Sequence, residues 1–590
     1  MTGSRGDFSA DRRLLWLALW ALPVGAIGAV MALVLLRLIG LFTNLFYFHR
    51  FATELRPPGA SDLGLLMLLV PVAGGLVIGL MARYGSDRIR GHGIPEAMEA
   101  ILFGKSRMQP KVAVLKPLSS AIVIGSGGPF GAEGPIIMTA GALGSILAQT
   151  LHLTASERKT LLVAGAAAGM TATFNTPAAA VLLAVELLLF EWRPKSFVPV
   201  AVASAMAAAL RPFLLGSGAL FPVPLHATLP PSALASAAVA GLGAGVLSAA
   251  LTAMVYLAED GFGRLPLHWM WWPAIGGAII AAGGWIEPRA LGVGYDLIDK
   301  LLVGDYVARD LVGLMLVKAA IWALALGSGT SGGVLAPLLI LGGALGGLEA
   351  AILPGGDRAL WPLVGMAAAL GGTMRSPLTG VVFALELTHD VAALPALLIA
   401  ATVAHAFTVL TMRRSILTEK VARRGHHVHR EYTVDPLELT PVSEVMTAAV
   451  VAVPASLGAR ALFGPDYLGG ERRHQGYPVV DDAGRPLGMI TRRDLLDAAD
   501  LDSDAIIAAD LMRGPAASLE PWQSCRVAAE RMAQAGIGRI AVVDGDRLVG
   551  IVTLTDLLTA RRRRLDEERA RERPIDLSRS APRRPPAAAP

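Results

Sequence analysis

Three segments share a glycine, three intervening residues and a proline: Gly91-His92-Gly93-Ile94-Pro95, Gly131-Ala132-Glu133-Gly134-Pro135 and Gly333-Val334-Leu335-Ala336-Pro337. Proline suits the first position of a helix, because its fixed φ fits and its missing N–H would have no partner there. Glycine just before it lets the chain bend. Each segment is therefore predicted to open an apolar helix, and each lies between long hydrophobic stretches, so the helix would begin inside a membrane. A helix starting there exposes N–H groups and the positive end of its dipole, which together make a seat for an anion. Interrupted helices aimed at a ligand near the midplane are a transporter device. Glu133 places a tethered carboxylate in one such seat. It would compete with a free anion for the same amides, and protonation would cancel its charge and let it swing out. Anion occupancy and proton uptake would then be linked through one side chain. An ionisable group in a spanning region is costly and usually functional.

The elements that must position these segments are apolar and doubled. The chain has 590 residues, 54% of them hydrophobic and only 17% charged. Residues 14–410 run in repeated apolar stretches long enough to cross roughly 30 Å of hydrocarbon. The first, residues 14–48, lacks a small-residue processing site and is expected to be a long, tilted membrane helix rather than a leader. Setting residues 165–187 against 365–387 at an offset of 200 gives nine identities, among them Pro177/Pro377 and Glu186/Glu386. Residues 131–144 match 333–346 at an offset of 202. Two related halves follow, of which inverted topology is the usual arrangement. Glu186 and Glu386 are expected to make structural hydrogen bonds at helix ends.

Composition changes near Arg413. Tyr477-Pro478-Val479-Val480-Asp481 with Gly488 to Asp494 recurs as Ile540-Ala541-Val542-Val543-Asp544 with Gly550 to Asp556. Each unit reads strand, turn, strand, helix, and is too small to bury a core alone, so the two should pack as a pair. Cys525 is the single cysteine, which excludes an intramolecular disulfide, and the sequence shows no metal constellation. The net charge of +5 owes much to Arg561–Arg564, Arg569, Arg571 and Arg573. These either solvate the end of a helix or meet anionic lipid; nothing points to nucleic acid.

In these motifs, together with the Gly127-Gly128-Pro129-Phe130 lead-in, the chain resembles the CLC family of chloride channels and chloride/proton antiporters. Its end resembles a tandem CBS pair. The resemblance implies an all-α polytopic membrane domain with two inverted-topology repeats over residues 1–425 and a linker at 426–439. A cytoplasmic α/β CBS pair over 440–500 and 506–562 and a disordered tail at 563–590 would follow. It implies a transporter rather than an enzyme, a homodimer in a lipid bilayer, most simply a bacterial inner membrane, moving chloride or a similar anion and, in an antiporter, protons. Carried over by position, Glu133 matches the gating glutamate. The backbone at Gly93, Ala132, Gly134, Val334 and Leu335 and the side chain of His92 match the anion contacts. In the CBS pair, Thr491 with Asp494 and Thr553 with Asp556 match residues that contact an adenine nucleotide; no other cofactor is implied.

Three positions depart from the family. His92 stands where serine is usual, either as a donor to the anion or as a neutral ring bonded to backbone, which opens selectivity to fluoride or nitrate. The tyrosine of the last membrane helix is missing, with Arg413 near its place as an anchor rather than a ligand. The second, internal glutamate of many antiporters is Leu187; Glu191, one turn on, reads as an interfacial charge. Channel and exchanger therefore both stand. A reading from another class is an intramembrane serine protease, since Gly329-Thr330-Ser331-Gly332 fits a nucleophile motif and His389 or His405 would supply a base.

Overall fold

A computed structural model of the chain describes residues 12–569, except 224, 225, 227, 427, 429–434, 465, 468–473, 495–505 and 513. Much of the expected linker, and residues 570–590 of the expected tail, lie outside the described residues, whereas residues 563–569 of that tail are not disordered but continue the helix Leu554–Arg569. The chain forms two compact units, Met1–Arg430 and Glu431–Pro590.

In the first unit the helices come in two equivalent sets. The first set is α1 (Arg12–Phe48), α2 (Leu69–Tyr84), α3 (Ile94–Leu102), α4 (Pro110–Gly125), α5 (Glu133–Thr150), α6 (Ala155–Phe174), α7 (Pro177–Leu183) and α8 (Pro194–Leu214). The second repeats the order as α9 (Pro231–Gly263), α10 (Trp272–Ile286), α11 (Tyr295–Val303), α12 (Ala308–Gly327), α13 (Leu335–Glu349), α14 (Leu360–Met374), α15 (Pro377–Thr388) and α16 (Leu394–Thr411). A short α17 (Ile416–Arg423) follows. The repeat legible at two places in the sequence thus extends to every helix of each half. Among the described residues, six helical stretches are long and apolar enough to cross a membrane, while α13, α14, α15 and the stretch Pro177–Leu189 are shorter. α1 alone, with 37 residues, is about 55 Å long and must cross obliquely.

Reciprocal contacts relate the two halves by a local two-fold. Glu186, in the π-helical turn after α7, accepts the Thr379 N–H at 2.9 Å and its hydroxyl at 2.5 Å. Glu386 accepts the Ala178 and Ala179 N–H groups at 2.9 and 2.8 Å. Each carboxylate caps the start of the other half's helix, where first-turn amides lack partners. Those are the helix-end roles the sequence suggests. Small residues bring the central helices together. A Cβ at Gly144 would lie 2.2 Å from the Leu161 carbonyl oxygen, and one at Gly346 would lie 2.0 Å from that of Trp361. α14 is buried along its whole length and α6 over its last fourteen residues, Leu161–Phe174, so both are apolar all round.

At the ends of the helices, His226 ties three segments together. Its Nδ1 contacts the buried Asp390 carboxylate, and its Nε2 lies 3.0 Å from Asp357, whose Oδ1 also caps Ala359 and Leu360 at the start of α14. Both ring nitrogens meet carboxylate oxygens, so both must donate and the ring is an imidazolium. Burial opposes that charge, but the bonds to Asp390 and Asp357 outweigh it and raise the His226 pKa above its ordinary 6.5. The stability from a raised pKa is fully present below 6.5 and is lost as pH climbs through the raised value. His226→Gln should therefore cost about 1–3 kcal/mol in acid. The gap from the parent should close as pH rises, as read by thermal unfolding in detergent; a gap constant with pH would contradict the imidazolium.

The described residues of the second unit form two small mixed sheets of equal topology. β1 (Val453–Pro454) runs parallel to β2 (Gly476–Val480), which pairs antiparallel with β3 (Pro486–Thr491). β4 (Ser518–Leu519), β5 (Arg539–Asp544) and β6 (Arg547–Thr553) repeat this order, with the bulge at the same place. The lead-in segments are exchanged. The Val442 N–H donates to Gln523 at 2.8 Å, and Val442 packs with Leu519, Cys525 and Val552. Ala508 donates to Leu457 at 2.8 Å and joins Val453, Tyr477 and Ile490. Neither repeat owns its whole core, the physical reason for the pair.

Candidate functional site

The three glycine-to-proline segments meet. The Gly91 N–H donates to the Thr330 carbonyl at 3.1 Å, and Gly332 returns a bond to Gly91 at 3.4 Å. Gly131 and Gly333 exchange bonds at 3.3 and 2.9 Å. Residues 330–333 are thus stitched between the other two segments, and three helix starts converge in the interior. The prolines do not take the first helical position. α3 begins at Ile94, α5 at Glu133 and α13 at Leu335, which puts Pro95 second and Pro135 and Pro337 third. All three positions lie in the first turn, where no intrahelical N–H is lost.

Glu133 is fully buried. Its side chain reaches across from the start of α5 to the start of α13, where Oε1 accepts the Leu335 N–H. The N–H groups of Ala336 and of Glu133 itself are also directed at the carboxylate. Oε2 is buried without a partner. The carboxylate lies between two glycines: a Cβ on Gly131 would come within 1.9 Å of Oε2, and one on Gly333 within 2.3 Å of Oε1. Only bare backbone leaves this cradle open.

The other sequence-selected residues fall around it unevenly. Leu335 donates to the carboxylate, whereas Val334 caps α13. Ala132 caps α5, and the Gly134 Cα packs on the His92 carbonyl. The His92 ring is buried and its Nδ1 has no partner. Gly93 differs from expectation: its N–H donates to Glu96 Oε2 at 2.9 Å, so this amide is spent on capping its own helix. Leu187 is fully buried, and Glu191 pairs with Lys159 at 3.2 Å and Ser196 at 2.6 Å. Arg413 sits between α16 and α17, where its carbonyl accepts from Arg375 at 3.4 Å. The protease reading fails on geometry. Ser331 Oγ is buried and held by Ser120 at 2.8 Å and Ser119 at 3.2 Å, hydroxyls that cannot act as its base.

Two supporting residues escaped the sequence reading. Lys116, buried in α4, donates to the carbonyls of Ile89 and Gly91 at 2.9 and 2.8 Å and so fixes the first segment. Its repeat mate Lys318 does the same to Ala290 at 3.0 Å. The offset of 202 between these lysines was the available signal. A vestibule of about 870 Å³, lined by Arg88, Arg90, Glu96, Lys420 and Arg424 among others, leads to Gly91. In it, Arg424 bridges Glu96 at 2.9 Å and Glu99.

Such an arrangement can hold one monovalent anion on backbone amides, and in this structure the seat is filled by a side chain of the protein. Residues 74–409 match the profile of the family described as Voltage gated chloride channel. The chain belongs to this family. Residues 442–500 and 508–563 match the CBS domain. The chain is 31% identical over 379 residues to the voltage-gated ClC-type chloride channel ClcB of Citrobacter koseri, covering 62% of this chain and 87% of that one. A slow cyanobacterial Cl⁻/H⁺ antiporter superposes with a TM-score of 0.60 at 21% identity, over 70% of this chain and 99% of that one. A eukaryotic CLC transporter does so with a TM-score of 0.57 at 20% identity, over 92% and 98%. The protein is thus a membrane protein of a family of ion transporters, with the CLC fold and a CBS pair.

In that pair, Asp494 Oδ2 accepts the Thr491 N–H at 2.8 Å and its hydroxyl at 2.5 Å. Asp556 Oδ2 does the same for Thr553 at 2.8 and 2.7 Å. The Thr553–Asp556 pair closes the start of the helix Leu554–Arg569.

Proposed function

We propose that the protein conducts chloride, or a similar small monovalent anion such as fluoride or nitrate, across a membrane, with Glu133 as the gate. The observation that carries this reading is the Glu133 carboxylate seated on the α13 amides between Gly131 and Gly333. A free anion would want the same place for the same reason, and backbone donors hold it without a fixed charge, so that it can leave. Chloride is the anion named for the Citrobacter koseri relative. The His92 ring, buried with a free Nδ1, is the feature that would tune selectivity.

Passive conduction is the favoured form, because Leu187, where an internal proton glutamate would stand, is apolar and wholly buried. Coupled anion/proton exchange is the second reading. It is favoured by Glu133 Oε2, which can take a proton while Oε1 keeps its bond to Leu335. The protein would work as a homodimer in a bacterial inner membrane, with the CBS pair in the cytoplasm. Adenine nucleotide would bind beside Thr491, Asp494, Thr553 and Asp556, where the carboxylates would accept ribose hydroxyls, and would adjust flux. Purified protein in liposomes under opposed chloride and proton gradients tests the set. The expected results are chloride efflux, a reversal potential independent of the proton gradient, and a change in rate when ATP or AMP is present on the CBS side. No halide flux would end the proposal, a proton-dependent reversal would select the exchanger, and indifference to nucleotides would remove the regulatory part.

A further inference from the structure

Gly292-Val293-Gly294-Tyr295 stands in the second half where Gly91-His92-Gly93-Ile94 stands in the first, at an offset of 201. All four glycines have positive φ: 84° and 92° at Gly91 and Gly93, 69° and 78° at Gly292 and Gly294. α11 therefore begins in the interior as α3 does, with Tyr295 as its first residue. The ring lies edge-on to Phe174 and Phe221, with centroids 6.3 and 6.1 Å away, and Phe383 packs on Phe174 at 5.2 Å. Aromatic neighbours fix the ring but offer its hydroxyl nothing. That hydroxyl is buried and has no hydrogen-bond partner. A buried phenol normally finds one, and leaving it unpaired costs about 1–3 kcal/mol.

The site holds a complementary orphan. Glu133 Oε2 is likewise buried and unpartnered. One is a donor, the other an acceptor. α11 packs on α13, whose first amide holds Glu133; the Gly294 Cα faces Ile340 of that helix. Tyr295 also lines a cavity of about 100 Å³ with Thr43, Arg56, Gly292 and Gly294. Thr43 is near the C-terminal end of α1, whereas Glu259 of the vestibule is near that of α9. With the halves inverted, as in the CLC fold, the cavity and the vestibule open toward opposite faces.

We propose that the Tyr295 hydroxyl receives the protonated Glu133 carboxyl group once it leaves the α13 amides, donating to its carbonyl oxygen and holding the gate open on the cavity side. This rests on the gating role of Glu133. In the closed state both orphans stay unpaired, and opening pairs the phenol, so part of the cost of leaving the α13 amides is recovered. The phenol thereby makes the proton more effective as an opener. Tyr295 is a positioning residue here and need not touch the anion.

Tyr295→Phe removes the hydroxyl and keeps the ring among its aromatic neighbours. Flux in liposomes across a pH series is read for the parent, Y295F, E133A and the double variant. The expected result is a half-activation pH lowered by about half a unit to one unit in Y295F, with no difference between E133A and the double variant. An unshifted profile in Y295F while E133A is pH-independent would overturn the proposal and leave the gate intact. Equal loss of flux from Y295F with and without the carboxylate would also overturn it, placing the hydroxyl on the anion or the fold. Persistent pH dependence in E133A would instead bring down the gating role itself.

Discussion

Glu133→Gln should leave anion flux running and strip it of its pH dependence. Glutamine matches glutamate in shape but carries no charge, so it is the protonated gate made permanent. In the parent, the carboxylate accepts the Leu335 N–H and faces those of Ala336 and Glu133, all at helix starts whose dipoles favour negative charge. Hydrogen bonds to a charged group contribute about 1.5–3 kcal/mol, against roughly half that for neutral partners. Losing the charge thus tilts the competition toward a free anion by on the order of tenfold per 1.4 kcal/mol. At a pH where the parent gate is ionised, E133Q should pass about 10-fold more anion or better; in acid the two should converge. The sign follows from charge alone: protons open the parent, and the variant has no charge left for them to remove. Chloride efflux from liposomes between acid and mildly alkaline pH measures this. A variant as pH-sensitive as the parent would sink the tethered-anion mechanism.

What the sequence disclosed and what it hid have physical causes. Proline and glycine carry backbone information locally, so the three interrupted helices could be read from spacing, as could the carboxylate among them. The repeat was visible where identity survived, at Pro177/Pro377 and Glu186/Glu386, because those residues cap and start helices in both halves. It was invisible in α1 and α9, where any apolar side chain satisfies lipid and no register is enforced. At Gly93, spacing alone misleads for a definite reason. Its amide looked free in a one-dimensional reading, but Glu96, three residues on, turns back to cap it, a capping-box relation that Gly93-Ile94-Pro95-Glu96 spelled out. Ala336 was overlooked because the side chain of Glu133 reaches one residue deeper into α13 than the segment match suggests. Tyr295 and the lysine pair needed the fold, since nothing local in residues 292–295 says that α11 packs on the helix whose first amide holds Glu133. The exchanged lead-ins of the CBS pair were likewise beyond reach, because the partner of Val442 is a strand far along the chain.

Gly131→Ala should silence the pathway at every pH, the opposite of E133Q at the same cradle. A methyl on Gly131 would sit 1.9 Å from Oε2 and 2.5 Å from Cδ and Oε1 of Glu133, and these are its three nearest neighbours. They belong to the free end of a side chain, so the fold can accept the methyl by giving up the seated carboxylate. Gly131 is not among the residues with positive φ, so alanine costs no backbone strain there. Yet the space the methyl fills is the space an anion needs, and a displaced gate opens onto a blocked seat. Flux should fall at least about 10-fold and stay low on acidification, since the protonation of Glu133 no longer controls what occupies the cradle. Gly134→Ala separates this from mere crowding. Its Cβ would meet the His92 carbonyl oxygen at 1.8 Å and the Gly333 Cα at 3.3 Å, backbone that cannot turn aside, so the convergence of the helix starts itself must give. G131A should therefore purify with parental thermal stability and no conduction, whereas G134A should lose both. Acid-activated flux at parental rates in G131A would mean that the anion passes somewhere other than between Gly131 and Gly333.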